Sequence, residues 1–374
     1  MAGTQEDRLD VKILMVTGSF PPAKCGVGEY SYHLARALAA TTEHRIGILT
    51  SSDGESADSG IPGVEVFRTV SGWTVRSLAP TLRFISDYQP DVVHIQYPTR
   101  GYDGRLPRVL PLFLRLRGIP VVQTWHEHYS DCGALSWLNL LACDALVHVR
   151  PDLPSKLPGW VRYVHANTPV NFIRSASTIP LVEFDQGRVK GLKNAISSDR
   201  PIVCFFGFAN PNKGVERLFR IADPALHHLV LLCDLDPANP YHATILRASS
   251  EPPWAGHVSV TGFQPADRVA EYLAVAEAAV FPFPNGAGEW NTSLQATEAA
   301  GLFSVATTQD RAQYGYHAAQ NVFYCGCDQL AEMRDALTRY MGRRIAPRAT
   351  SSWNDIALAH DDLYRFVCRE ASTK

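Results

Sequence analysis

Short apolar runs alternate with helix-period stretches along most of the chain. Residues 11–16 form a β-branched run that ends at Thr17-Gly18-Ser19 and Pro21-Pro22, which reads as a buried strand opening into a loop. Past Gly26-Val27-Gly28, the residues Val27, Tyr30, Leu34 and Leu38 fall on one helical face. Further strands are predicted at 45–49, 64–68, 90–96 and 120–124, with helices over 76–88 and 106–117. A second series starts at Pro201, with a strand at 202–206, a loop at 207–214 and a helix opening over 215–221. Strands at 229–233, 258–261, 279–281 and 305–307 follow, with helices near 266–275 and 294–300. A closing helix over 353–367 carries apolar Ile356, Ala357, Leu363, Tyr364 and Val367.

Strands alternating with helices imply parallel sheets covered on both faces. The expected architecture is α/β, with two Rossmann-like doubly wound domains facing a ligand-binding cleft. The first domain is expected over 1–175 and the second over 176–352, with the helix at 353–374 packing back on the first. Residues 172–200 have mixed charge and weak periodicity, and read as a linker or loosely packed hinge.

The composition agrees with two sizeable cores. The chain has 374 residues, 46% of them hydrophobic and 19% charged. Lys plus Arg total 35 against 37 for Asp plus Glu, a formal net charge of −2 that argues against a nucleic-acid partner. The start, MAGTQEDRLD, lacks the pattern of a signal peptide, and no apolar stretch is long enough for a membrane span. The eight cysteines are scattered, so reduced thiols and a cytoplasmic location are expected. Cys325-Gly326-Cys327 has no second pair to complete a zinc site. The arginines at 105, 108, 115 and 117 surround an apolar body. That segment reads first as a sheet-covering helix and second as a peripheral contact with the inner face of an anionic membrane.

Three strand-to-helix loops carry the candidate chemistry. The Gly18–Gly28 loop offers glycines and a helix N-terminus to an anion, without Walker or GxGxxG spacing. Gly207-Phe208-Ala209-Asn210-Pro211-Asn212-Lys213-Gly214 repeats that logic and adds a lysine suited to a diphosphate. The third loop, 284–291, runs into a helix for which Asn291, Thr292 and Ser293 are natural caps. The amides of Thr292, Ser293 and Leu294 would face the ligand. Glu298 interrupts an apolar helix and needs donors such as ribose hydroxyls. Glu289 lies in the loop before it. His126 closes the strand at 121–124, where it can donate to a substrate hydroxyl or stabilise developing charge. His126, His128 and Asp131 are a weaker metal candidate, since their spacing is not H-E-x-x-H, and Asp234-Leu235-Asp236 before Pro237 reads as a turn.

The segments SFPPAKCGVGEYSYHLARAL, PDVVHIQYP, IPVVQTWHEH, CDALVHV, FFGFANPNKGVERL, VTGFQPADRVAEYLAVAEAAVFPF, TSLQATEAAG and SSWNDIALAHDDLY, in this order, resemble the retaining GT-B glycosyltransferases of glycosyltransferase family 4. The resemblance spans nearly the whole chain. It implies transfer of a sugar from a nucleotide-diphosphate donor to a glycan, lipid-linked or small-molecule acceptor. It further implies no cofactor and no metal. By matching position, Gly26 and Gly28 would approach the donor, and Lys213 would neutralise the diphosphate. Phe263 would lie near the base, Glu298 would hold the ribose, the 292–294 amides would hold phosphate, and His126 would contact the sugar. Acceptor entry is expected beside residues 97–105 and 129–135. Two departures stand out: Trp290 occupies the family's usual glutamate position, leaving Glu289 as its substitute, and Phe208 replaces a usual basic residue. They motivate a second reading, a catalytically silent GT-B binding partner. A dehydrogenase reading fails on the glycine spacing.

Overall fold

The fold was analysed in a computed structural model. It describes residues 10–373 apart from 53–59, 128–138, 140–141, 158, 165–167, 183, 198, 289 and 349–350. The chain forms two compact units: Met1–Ser175 with Ser351–Lys374, and Ala176–Thr350.

The sheet of the first unit has β1 (Lys12–Val16), β2 (Arg45–Ser51), β3 (Val64–Val70), β4 (Val92–Tyr97), β5 (Val121–Trp125), β6 (Ala145–His148) and β7 (Val170–Phe172). Their order is β3-β2-β1-β4-β5-β6-β7, with every neighbouring pair parallel. The order reverses between β1 and β4, the position at which doubly wound sheets open a crevice beyond the strand ends. Strand alternation sorts the side chains. Leu14, Val16, Val93 and Ile95 join the core that includes Leu82, Leu106, Leu110 and Leu114. The helix Leu106–Arg115 therefore covers the sheet, with Leu112 and Leu116 left exposed on its outer side.

The terminal helix Trp353–Ser372 packs against the helix Gly26–Thr41. Ser352 caps it through the Asn354 amide, and His44 Nε2 lies 2.7 Å from Asp361 Oδ1 to pin its middle. It runs five residues past the predicted end, and in its last turn Ser372 Oγ donates to the Cys368 carbonyl.

The second unit's sheet has β8 (Ile202–Phe206), β9 (His228–Leu232), β10 (Val258–Val260), β11 (Ala278–Phe281), β12 (Ser304–Thr307), β13 (Gly315–His317) and β14 (Val322–Cys325). The order is β10-β9-β8-β11-β12-β14-β13, parallel except for β13. Here the order reverses between β8 and β11.

The boundary between the units falls at Ser175/Ala176, inside the predicted 172–200 seam, but that segment is not loosely packed. Residues Gln186–Ile196 form a helix capped by Asp185, whose side chain accepts from the Gly187 and Arg188 amides. The helix lies on Ala266–Val275 through Arg188–Glu271, and Lys193 pairs with Glu277. Its mixed charge is thus an ion-paired face rather than a linker signature. Arg344 closes the C-terminus of Ala266–Val275, with Nη2 at 2.7, 2.8 and 2.7 Å from the carbonyls of Leu273, Ala274 and Ala276. Among the described residues no helix is long and apolar enough to cross a membrane.

Candidate functional site

In the first unit, candidate residues gather beyond the carboxyl ends of β1, β4 and β5. Thr17 Oγ1 donates to the Ser19 carbonyl at 2.9 Å and folds the chain back after β1. A Cβ on Gly101 would lie 1.8 Å from the Gly18 carbonyl oxygen, so two loops meet there backbone to backbone. Gly26 and Gly28 are not ahead of the helix but inside its first turn, which Cys25 precedes. Their roles differ: Gly26 is exposed, whereas Gly28 is buried and its Cβ would stand 3.0 Å from the Ser19 carbonyl oxygen. Gly28 therefore serves the packing of the helix on its own loop, and Gly26 is the one open to a ligand.

His126 follows β5, with its amide bonded to the Tyr97 carbonyl at 2.9 Å and its Nε2 2.9 Å from Gln96 Oε1. The Tyr30 ring meets it edge-on at 4.8 Å. Burial, with His360 nearby, pushes its pKa down to about 3. Burial thus favours the neutral ring at physiological pH, in which it can still donate to a hydroxyl. Gln96 belongs to a buried polar set with His94, Thr124 and Tyr364 that sequence reasoning missed. The available signal was a polar residue at every second position of a strand with no exposed residue. His128, Asp131, the 129–135 loop and Glu289 lie outside the described residues. The 97–105 loop is tied down, with Asp103 Oδ1 accepting from the Trp73 amide at 2.6 Å and Tyr102 Oη donating to the Val16 carbonyl.

In the second unit, the loops after β8 and β11 meet. Gly207 has φ +142°, and a Cβ there would stand 3.1 Å from Ser293 Oγ. Gly214 has φ +61° and ends the short turn Pro211–Lys213; its Cβ would stand 2.5 Å from the Pro282 carbonyl oxygen. Both positions need glycine for close approach and backbone angle together. Lys213 Nζ lies 4.1 Å from the centroid of the Phe283 ring, which holds the ammonium beyond the end of β11.

The helix Thr292–Ala299 starts from Asn291, whose Oδ1 accepts from the Leu294 amide at 3.0 Å. That amide is thereby occupied, a correction to its expected part in phosphate binding. The amides of Thr292 and Ser293 make no hydrogen bond among the described residues, leaving two donors at a helix N-terminus beside Gly207. The Trp290 ring lies over Gly288, where a Cβ would approach it to 1.9 Å. Glu298 is buried in the same helix, and Arg348 Nη2 stands 3.5 Å from its Oε1. Sequence reasoning left this partner unread, because Arg348 lies in the segment leading out of the unit. Phe263 follows β10 at the sheet edge, with its side chain exposed.

Among the described residues no group of three or more His, Cys, Asp or Glu stands where it could hold a metal. Asp236 Oδ1 accepts from the Ala238 amide at 2.9 Å, as the turn reading required. No disulfide joins the described cysteines.

Two crossover-reversed sheets with these loops at their carboxyl ends define a GT-B fold, and the comparisons agree. Residues 25–165 match the glycosyl transferase 4-like domain family. Sucrose-phosphate synthase from Thermosynechococcus elongatus superposes with TM-score 0.74 at 17% identity, over 96% of this chain and 99% of that one. Anabaena HepE in complex with UDP-glucose gives 0.67 at 14% identity, over 97% and 98%. The catalytic domain of Arabidopsis thaliana starch synthase IV, bound to ADP and acarbose, gives 0.64 at 14%, over 98% and 100%. By sequence, no curated protein matches the chain significantly. The fold expectation is borne out: the chain has a GT-B fold, and its residues 25–165 are similar to a glycosyl transferase 4-like domain, as the motifs suggested.

Proposed function

We propose that the protein is a retaining glycosyltransferase that moves a sugar from a nucleotide-diphosphate donor to a glycan, lipid-linked or small-molecule acceptor. The observation that carries this reading is the anion cradle of the second unit. Two unengaged helix amides, those of Thr292 and Ser293, adjoin the Gly207 turn, and the Lys213 ammonium sits at the ends of the same sheet. When a glycosidic bond to a diphosphate breaks, negative charge grows on the β-phosphate. Fixed amide dipoles and a lysine stabilise that charge more than they stabilise the intact donor, which lowers the barrier. The departing phosphate oxygen accepts the acceptor's proton as the new bond forms on the face it leaves, so no separate base is required.

Glu298 is assigned to the ribose hydroxyls, with Arg348 Nη2 3.5 Å from its Oε1 holding it in place. Gly26 is assigned to the donor phosphates, Phe263 to the base and His126 to the transferred sugar. The solved relatives caught with UDP-glucose and with ADP support a nucleoside diphosphate as the bound class. Binding through Lys213 and amides needs no metal, and turnover is expected to survive chelation.

The test is a panel of nucleotide sugars, scored for turnover and for binding of the free nucleoside diphosphates. We expect one diphosphate to bind, and Lys213→Ala to weaken it about 10- to 100-fold, the size of a charge-assisted bond. Binding without turnover of any sugar would favour the silent-partner reading. Unchanged binding in Lys213→Ala would refute the cradle.

A further inference from the structure

β4 and β5 run parallel with Gln96 opposite Thr124, so His94, Gln96, Thr124 and His126 lie on one face by two-residue alternation. The terminal helix brings Tyr364 and His360 onto that face. The contacts form a continuous wire. His126 Nε2 is 2.9 Å from Gln96 Oε1, and Gln96 Nε2 is 3.1 Å from His94 Nε2. His94 Nε2 is also 2.8 Å from Thr124 Oγ1, and His94 Nδ1 is 2.6 Å from Tyr364 Oη. His94, Gln96, Thr124 and Tyr364 are all inaccessible to solvent. His126 is half-buried, and its Nδ1 has no hydrogen-bond partner among the described residues.

A neutral imidazole carries one N–H and one lone pair, and a primary amide has one donating arm and one accepting arm. Buried polar atoms must be paired. The wire therefore has two self-consistent polarities. With Gln96 as placed, His126 donates from Nε2 to Oε1, while the Gln96 amide nitrogen donates to His94 Nε2. His94 then donates from Nδ1 to Tyr364 Oη, and the outward Nδ1 of His126 is an acceptor. Turning the amide over reverses every bond and makes that same nitrogen a donor. Glutamine is the only uncharged side chain of this length that forces the two rings to opposite states.

We infer that Gln96 locks His94 and His126 into opposite tautomers. Gln96 and His94 are thus positioning residues that fix whether the outward Nδ1 of His126 accepts or donates. The inference rests on the glycosyl-transfer reading only in naming a sugar hydroxyl as the partner of that Nδ1. A hydroxyl can give or take a hydrogen bond, so Tyr364 Oη and Thr124 Oγ1 serve either polarity.

The test is long-range proton–nitrogen NMR of the full chain labelled in histidine, at neutral pH, with peaks assigned by His94→Asn and His126→Asn. In the wild type we expect the two rings to carry their protons on opposite nitrogens. Gln96→Glu, which only accepts, is expected to put both protons on Nε2. The same tautomer on both rings of the wild type, or opposite tautomers kept in Gln96→Glu, overturns the coupling. The spectra need no turnover, so failure of the enzymatic reading would leave this readout standing.

Discussion

Replacing His360 by leucine should make the first unit more stable, and more so in acid. The ring is fully buried, with Nδ1 bonded to the Ile356 carbonyl at 2.7 Å and Nε2 without a partner. Removing an unsatisfied buried nitrogen is worth about 1 kcal/mol at neutral pH. A second gain comes from protons. Burial pushes the His360 pKa from 6.5 down to about 4. Between these values the unfolded chain binds the proton and the folded chain does not, so stability is lost as pH falls from 6.5 towards 4. At 1.36 kcal/mol per unit, the loss at pH 5 is about 2 kcal/mol for this one ring. His360→Leu escapes it, and its advantage should grow from about 1 kcal/mol at pH 7.5 to about 3 kcal/mol at pH 5.

A global melt would mix the two units. Hydrogen exchange of peptides from Trp353–Ser372, corrected for the intrinsic pH dependence of exchange, reads the relevant opening. The ratio of variant to wild-type protection should rise about 30-fold from pH 7.5 to pH 5. An unchanged ratio would show that His360 is either protonated in place or solvated, and the linkage reasoning would fail.

Two further outcomes test the second unit. Gly214→Ala combines a left-handed backbone with a 2.5 Å approach to the Pro282 carbonyl oxygen, and should cost about 2–3 kcal/mol. Urea unfolding monitored on peptides of β8 and β11 would show it. Arg344→Met leaves the carbonyls at the end of Ala266–Val275 to water and should cost about 1–2 kcal/mol. The faster exchange should be confined to that helix's last turn.

Most of the parallel strands were legible because each is a short apolar run between turn residues. β6 escaped: its four residues are too few to show a period, and they sit next to residues of no clear pattern. β13 and β14 escaped because an antiparallel three-residue edge strand breaks the strand–helix alternation. The helices Pro240–Ser250 and Leu330–Tyr340 did carry signals. Asn239 and Pro240 are a cap and a first-turn proline, and Met333, Ala336 and Leu337 keep helical spacing.

At the site, glycines and cap residues were readable because their chemistry is local. What the sequence could not display was pairing across distance. The Asn291–Leu294 contact that removes one amide follows from cap geometry, but Arg348 at Glu298 and Tyr364 at His94 depend on where returning segments land. His126 shows the same limit. Its place at a strand end was apparent, whereas its neutral state depends on burial beneath residues far along the chain.

The first unit is made of two stretches of chain, with the whole second unit between them. During synthesis the second unit has all its strands and helices available before the first unit does. The earlier-made sheet must wait, with the His94–Gln96 face uncovered, until Ser351–Lys374 leaves the ribosome. A stalled or truncated product ending before Trp353 would therefore present a groove of imidazoles and amide to water and to chaperones. The later-made half could already be folded. The helix Trp353–Ser372 thus completes the first unit, and removing it should expose the buried side chains of His94 and Gln96.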